Sequence, residues 1–126
     1  AANAGAATAR FLDRPRQQMV CEASRPRDIG ADPEGKLPLR PFESADEFIA
    51  KGVSVFNHVD PILGGYFKTM QDEGLLDLQS RKGKAPGGYM TELAKRRRPL
   101  IFMNASGVAD DVVTLVHEAG HSFHGF

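Results

Sequence analysis

Cysteine occurs once in this chain, at Cys21, so no internal disulfide can form and a reducing, cytoplasmic compartment is expected. Excess charge of either sign is also missing: 16 Lys+Arg face 16 Asp+Glu. That balance argues against a general nucleic-acid binder, whose affinity comes from a large positive surplus. No stretch approaches the roughly 18 apolar residues of a membrane span, so no membrane insertion is expected. The Ala-rich opening, Ala1 to Ala9, lacks the leucine-like core of a signal peptide. There is no initiator Met, no internal repeat and no low-complexity tract beyond that opening. With 126 residues the chain suffices for one domain at most, and it reads as a piece of something larger.

What is present divides into three stretches. Ala1 to about Met19 is rich in helix formers, with Phe11, Leu12 and Met19 as an apolar face and a kink expected at Pro15. From Arg25 to Pro41, four prolines and two glycines predict a long loop, with a short extended piece over Lys36 to Leu39. Beyond it, Ser44 and Glu47 form an S-x-x-E capping box ahead of Phe48, Ile49, Val53 and Phe56 at helical spacing. Asp60-Pro61 reads as N-cap and first residue of a second helix, with Ile62, Leu63, Tyr66, Phe67 and Met70 on one stripe and a stop at Gly74. The pair predicts an αα-hairpin with His58 at its junction as a loop or capping residue.

Turn-rich sequence follows through Ala85-Pro86-Gly87-Gly88, and the basic run Lys95 to Arg98 reads as a solvated turn before Pro99. Leu100 to Met103 predicts a short buried strand. Asp110 and Asp111 suit a helix N-terminus, and Val112, Val113, Leu115, Val116 and Ala119 carry a largely apolar helix expected to be buried and to run off the end of the chain.

That last helix bears His117-Glu118-Ala119-Gly120-His121, an H-E-x-x-H sequence. At about 100° per residue, two histidines four apart lie roughly 40° from each other and one turn along, so both imidazoles can converge on one ion. Glu118 stands beside that point, where a carboxylate can hold a water and take its proton. Zinc suits two imidazoles and one further protein ligand, because a fourth position stays open for water. Shuffling this composition yields the pattern about 0.007 times, so coincidence is a weak explanation. His124 shares the face but lies two turns from His117, which favours a supporting or packed role over ligation. Position 126 ends the chain before a longer metzincin-type continuation could be tested.

Arg81-Lys82-Gly83-Lys84-Ala85-Pro86-Gly87-Gly88-Tyr89, then Phe102-Met103-Asn104, then Asp110 through His124 resemble the thimet oligopeptidase / oligoendopeptidase F family of zinc metallopeptidases, and the oligoendopeptidase F-like branch in particular. Pro38 to Phe42 and Gly74 to Leu78 resemble it too, so the likeness spans about residues 25 to 126. The resemblance implies a mainly α fold: a helical zincin-type catalytic domain with a small β-sheet beside the H-E-x-x-H helix, of which residues 1–126 form an incomplete part ending just after the motif. It implies a metalloendopeptidase hydrolysing short peptides, with one Zn2+ held by His117 and His121 and with Glu118 as general base. Leu100 to Met103 and Gly87-Gly88-Tyr89 would lie along the cleft, where an extended peptide could pair with exposed backbone. The sequence departs from the branch at Arg27, where an aromatic residue is usual. It also contains neither the family's third ligand, a glutamate on a later helix, nor its downstream tyrosine and histidine, so the chain alone is expected to be inactive or nearly so. Two alternatives stand beside this reading: a non-catalytic helical module with structural histidines, and an unrelated zinc enzyme such as a metzincin.

Overall fold

Ser44 opens the first described helix as the capping motif predicts: its Oγ accepts the Glu47 N–H at 3.1 Å. The return half of the box is displaced by one residue, because the Glu47 carboxylate accepts from Glu43 N–H at 2.8 Å rather than from Ser44. Its bond to Lys51, aided by that amide, holds the Glu47 carboxyl below its ordinary range. The computed structural model describes Asp32, Glu34 and residues 36–126. The predicted N-terminal helix, its Pro15 kink, Cys21 and Arg27 lie outside the described residues. Two units are distinguished, Ala1–Pro38 and Leu39–Phe126, and the second holds every element below.

Helix α1 (Ala45–Val59) ends where Asp60 N–H reaches the Phe56 carbonyl, and Asp60 then caps α2 (Pro61–Asp72) by accepting from Ile62 N–H at 2.7 Å. The αα-hairpin is therefore as expected, with proline at a position that needs no N–H. His58 falls in the last turn of α1 and is exposed. The apolar stripe of α2 is narrower than its spacing suggests. Phe67 and Met70 are buried with Gly64, whereas Ile62 at the first turn is 62% exposed. The helices meet closely at Gly64, where a Cβ would stand 2.8 Å from Asn57 Cα.

Three strands follow: β1 (Leu76–Gln79), β2 (Gly88–Leu93) and β3 (Arg98–Ala105). Their order is β1-β3-β2, with β1 parallel and β2 antiparallel to β3. The short strand expected over Leu100 to Met103 is longer at both ends, because Pro99 and Arg98 pair with Glu92 and Leu93. Proline fits there as the strand opens. Residues 94–97 are the solvated turn predicted for the basic run, but Arg98 leaves it to bond Glu73 at 3.1 Å. By contrast, Lys36 to Leu39 forms no strand.

Alternation along β3 is complete: Pro99, Ile101, Met103 and Ala105 are buried, and the residues between them are not. The buried face meets both α-hairpin helices and the last helix, α3 (Ala109–Phe123), around Phe42, Phe56, Phe67, Leu78 and Leu115. Helix α3 packs by one face among the described residues, whereas its apolar sequence suits burial within a larger domain. Only Leu115, Ala119 and Ser122 are buried, while Val113 is 69% exposed, so one face packs and the other is open. Nor does it run to the final residue: it stops at Phe123 with His124 as C-cap. Among the described residues, three helices and a small sheet are compatible with the expected mainly α fold with a small β-sheet.

Candidate metal centre and edge strand

Helix α3 is anchored at its start by Asp111, one of the two carboxylates read as N-terminal. Its Oδ2 accepts the N–H groups of Ser106, Gly107 and Val108 at 2.8, 2.8 and 2.9 Å. Three otherwise unpaired donors are satisfied by one charge, which fixes the helix against the end of β3. Gly107, at φ 88°, makes the turn between them. Everything downstream on α3 inherits its position from this joint.

Two turns on, the structure brings His117 and His121 together. Their Nε2 atoms are 3.0 Å apart and their rings nearly perpendicular, at 87°. Two nitrogens bound tetrahedrally to zinc at about 2.0–2.1 Å would be separated by roughly 3.3 Å, so a parting of about 0.3 Å from this hydrogen-bond contact would give the spacing such an ion needs. Both rings are exposed on the open face of α3. The donor set therefore fits a zinc-type ion as two of its ligands. Among the described residues, no group of three His, Cys, Asp or Glu side chains converges in this way. His124 sits at the C-cap, where its N–H bonds the His121 carbonyl, and it makes no side-chain bond to either ring.

Glu118 is placed by a contact that spacing could not reveal. Its Oε2 accepts the Met90 N–H at 2.8 Å. The ladder explains why that N–H is available. Asn104 N–H donates to Gly87 C=O, and the register pairs Tyr89 with Phe102 and Thr91 with Leu100. Odd-numbered residues of β2 thus bond β3, and Gly88, Met90 and Glu92 turn their N–H and C=O groups away from it. Among the described residues β2 is an edge strand, so no further strand pairs with this row, and the carboxylate of α3 occupies its middle donor. Gly88 lets β2 approach α3 this closely, for a Cβ there would stand 2.9 Å from Thr114 Cγ2.

The opposite face of the sheet carries a second cluster that the sequence reading did not single out. Asp77, Phe102 and Tyr89 lie side by side across β1, β3 and β2. Arg81 grips Asp77 with two bonds of 2.6 and 2.7 Å. Lys84, with a side chain only 2% exposed, donates at 2.9 Å to Asp77 Oδ1 and to the carbonyls of Asp77 and Gln79. Its ammonium also lies 4.5 Å from the centre of the Phe102 ring. Chiefly through Arg81, and then Lys84, the Asp77 carboxyl is lowered to about 2 against the opposing effect of burial. The Lys84 carbonyl in turn accepts from Asn104 Nδ2 at 3.3 Å, so the loop entering β2 is tied to both other strands.

The chain is similar to known proteins over most of its described length. The family model for Peptidase family M3 matches residues 37–126. Oligopeptidase PepF of Bacillus subtilis (strain 168) is 33% identical over 89 residues, which are 68% of this chain and 12% of that protein. The chromosomal oligoendopeptidase F of Lactococcus lactis subsp. cremoris is 37% identical over 57 residues, 45% of this chain and 9% of the relative. Among solved structures, a protein assigned as an oligoendopeptidase F from Bacillus anthracis str. Ames superposes with TM-score 0.79 at 32% identity, over 93% of this chain and 21% of its own. PZ peptidase A with an inhibitor gives 0.77 at 33% identity, over 90% and 20%. The chain thus spans about an eighth or less of these curated relatives. No helix among the described residues is long and apolar enough to cross a membrane. With the H-E-x-x-H helix, the edge strand and the loop between β1 and β2 all inside the matched region, the chain belongs to peptidase family M3.

Proposed function

We propose that the chain is part of the catalytic domain of a zinc-dependent metalloendopeptidase that hydrolyses short peptides in the cytoplasm. The observation that carries this is the pair of Nε2 atoms 3.0 Å apart with a carboxylate on the next residue, turned toward an open strand edge. His117 and His121 would hold the ion. Zinc, when bound, would supply a Lewis acid that lowers the pKa of a coordinated water toward about 7 and polarises the scissile carbonyl.

The chain's own residues then do three things. The outward N–H and C=O groups of Gly88, Met90 and Glu92 pair with an extended peptide and hold its backbone parallel to the edge. Glu118, one residue from His117, takes a proton from the attacking water. The same carboxyl later delivers that proton to the departing amine nitrogen, so the side chain ends as it began. An exposed strand reads backbone rather than side chains, which suits a peptidase that accepts varied short sequences.

The test is Glu118→Gln in a protein carrying the complete domain. Turnover of a quenched fluorescent peptide should fall by at least about 10³-fold while bound zinc, measured by elemental mass spectrometry, stays at the wild-type ratio. Undiminished turnover would sink the role given to Glu118.

A further inference from the structure

We infer that Glu118 and a bound peptide compete for the same donor, the Met90 N–H, so that pairing of a peptide with the β2 edge is what releases the carboxylate. The inference rests on the edge-binding role proposed above and adds a coupling to it. A backbone N–H donates one strong hydrogen bond. The ladder register leaves this one pointing out of the sheet, at the middle of the three outward residues Gly88, Met90 and Glu92. Glu118 Oε2 takes it at 2.8 Å, across 28 residues of sequence. Gly88 and Glu92 show no such side-chain acceptor among the described residues. An added strand bonds alternate residues of the edge it joins, so a peptide carbonyl must take the Met90 N–H to stay in register across this stretch. Glu118 is then turned loose beside His117 and His121, where a water awaiting deprotonation would lie. Before that it is held, and Met90 acts as a positioning residue through its backbone alone.

The coupling has a signature that loss of structure would not produce. Binding of fluorescein-labelled penta-alanine amide is measured by fluorescence anisotropy in the presence of EDTA, which removes the metal from the question. Glu118→Ala removes the competitor, and the peptide should bind about tenfold more tightly, the scale of one charge-assisted hydrogen bond. Glu118→Gln keeps an acceptor at the same reach and should stay within about threefold of wild type. Met90→Pro deletes the N–H without touching the ladder, since that N–H is not part of it. In the Met90→Pro background, Glu118→Ala should bring no gain, and circular dichroism checks that the variant remains folded. Equal affinity of wild type and Glu118→Ala would overturn the coupling and leave the peptidase reading untouched. Absence of measurable binding to every variant would overturn the coupling together with the edge-binding role. Loss of zinc-dependent turnover in the complete domain tests the peptidase reading separately.

Discussion

Burying a lysine is expensive unless every one of its N–H bonds finds a partner, and Lys84 meets that condition with three acceptors at 2.9 Å. Removing it takes a donor from two carbonyls and from Asp77 Oδ1, which keeps only its bond to Arg81. Lys84→Met should therefore destabilise the fold by about 2–4 kcal/mol in urea unfolding, despite a similar volume. Its partner makes a different prediction. The Asp77 carboxyl is held at about 2 against an ordinary 3.8, so its stabilising effect is complete above about pH 4 and is lost as pH falls toward 2. Arg81 is half exposed, and solvent screening reduces the contribution to about 1 kcal/mol. Thermal unfolding across that window should show the loss in wild type, and Asp77→Asn should flatten it. Asp77, Arg81 and Lys84 were legible only as letters of a family pattern. Their four- and seven-residue separations become contacts because β1 ends and its loop turns back, which no local periodicity encodes.

Two adjacent glycines in α2 show how an element's neighbours override its own preferences. Alanine is favoured over glycine inside a helix by about 1 kcal/mol wherever there is room. Gly65 has nothing within 4 Å of its missing Cβ, so Gly65→Ala should raise stability by about 0.5–1 kcal/mol. Gly64 faces Asn57 Cα at 2.8 Å, and backbone cannot yield as a side chain can. Gly64→Ala should lower stability by about 2 kcal/mol or more, by forcing α1 and α2 apart. Denaturant midpoints of the two variants should move in opposite directions. The hairpin itself was readable, since Ser44, Asp60 and Pro61 act through bonds spanning two or three residues. The strand β1 was not, because a four-residue Leu-Asp-Leu-Gln stretch is too short to show a period and gains its identity only from pairing with β3.

The assembled unit offers two imidazoles and no third convergent ligand among the described residues, so zinc affinity of this chain should be weak. Isothermal titration with zinc should give a dissociation constant far above that of a complete three-ligand site, and His121→Ala should abolish what remains. Tight stoichiometric binding would mean that another side chain or a second copy completes the site. An apolar groove of about 280 Å³ lies between α1 and α3, lined by Phe48, Val55, Phe56, Val112 and Val116. The apolar residues of α3 cover more than one face, yet only one meets the sheet. What the chain's letters settled are the properties with short reach: helix starts, the hairpin, and the four-residue spacing that places two histidines on one face of α3. Folding decided the rest. The register of β2 on β3 turned Met90 N–H outward, the close approach permitted by Gly88 set α3 beside it, and Glu118 met it there. Helical spacing is carried by bonds four residues long, whereas a contact between residues 90 and 118 exists only once sheet and helix have packed.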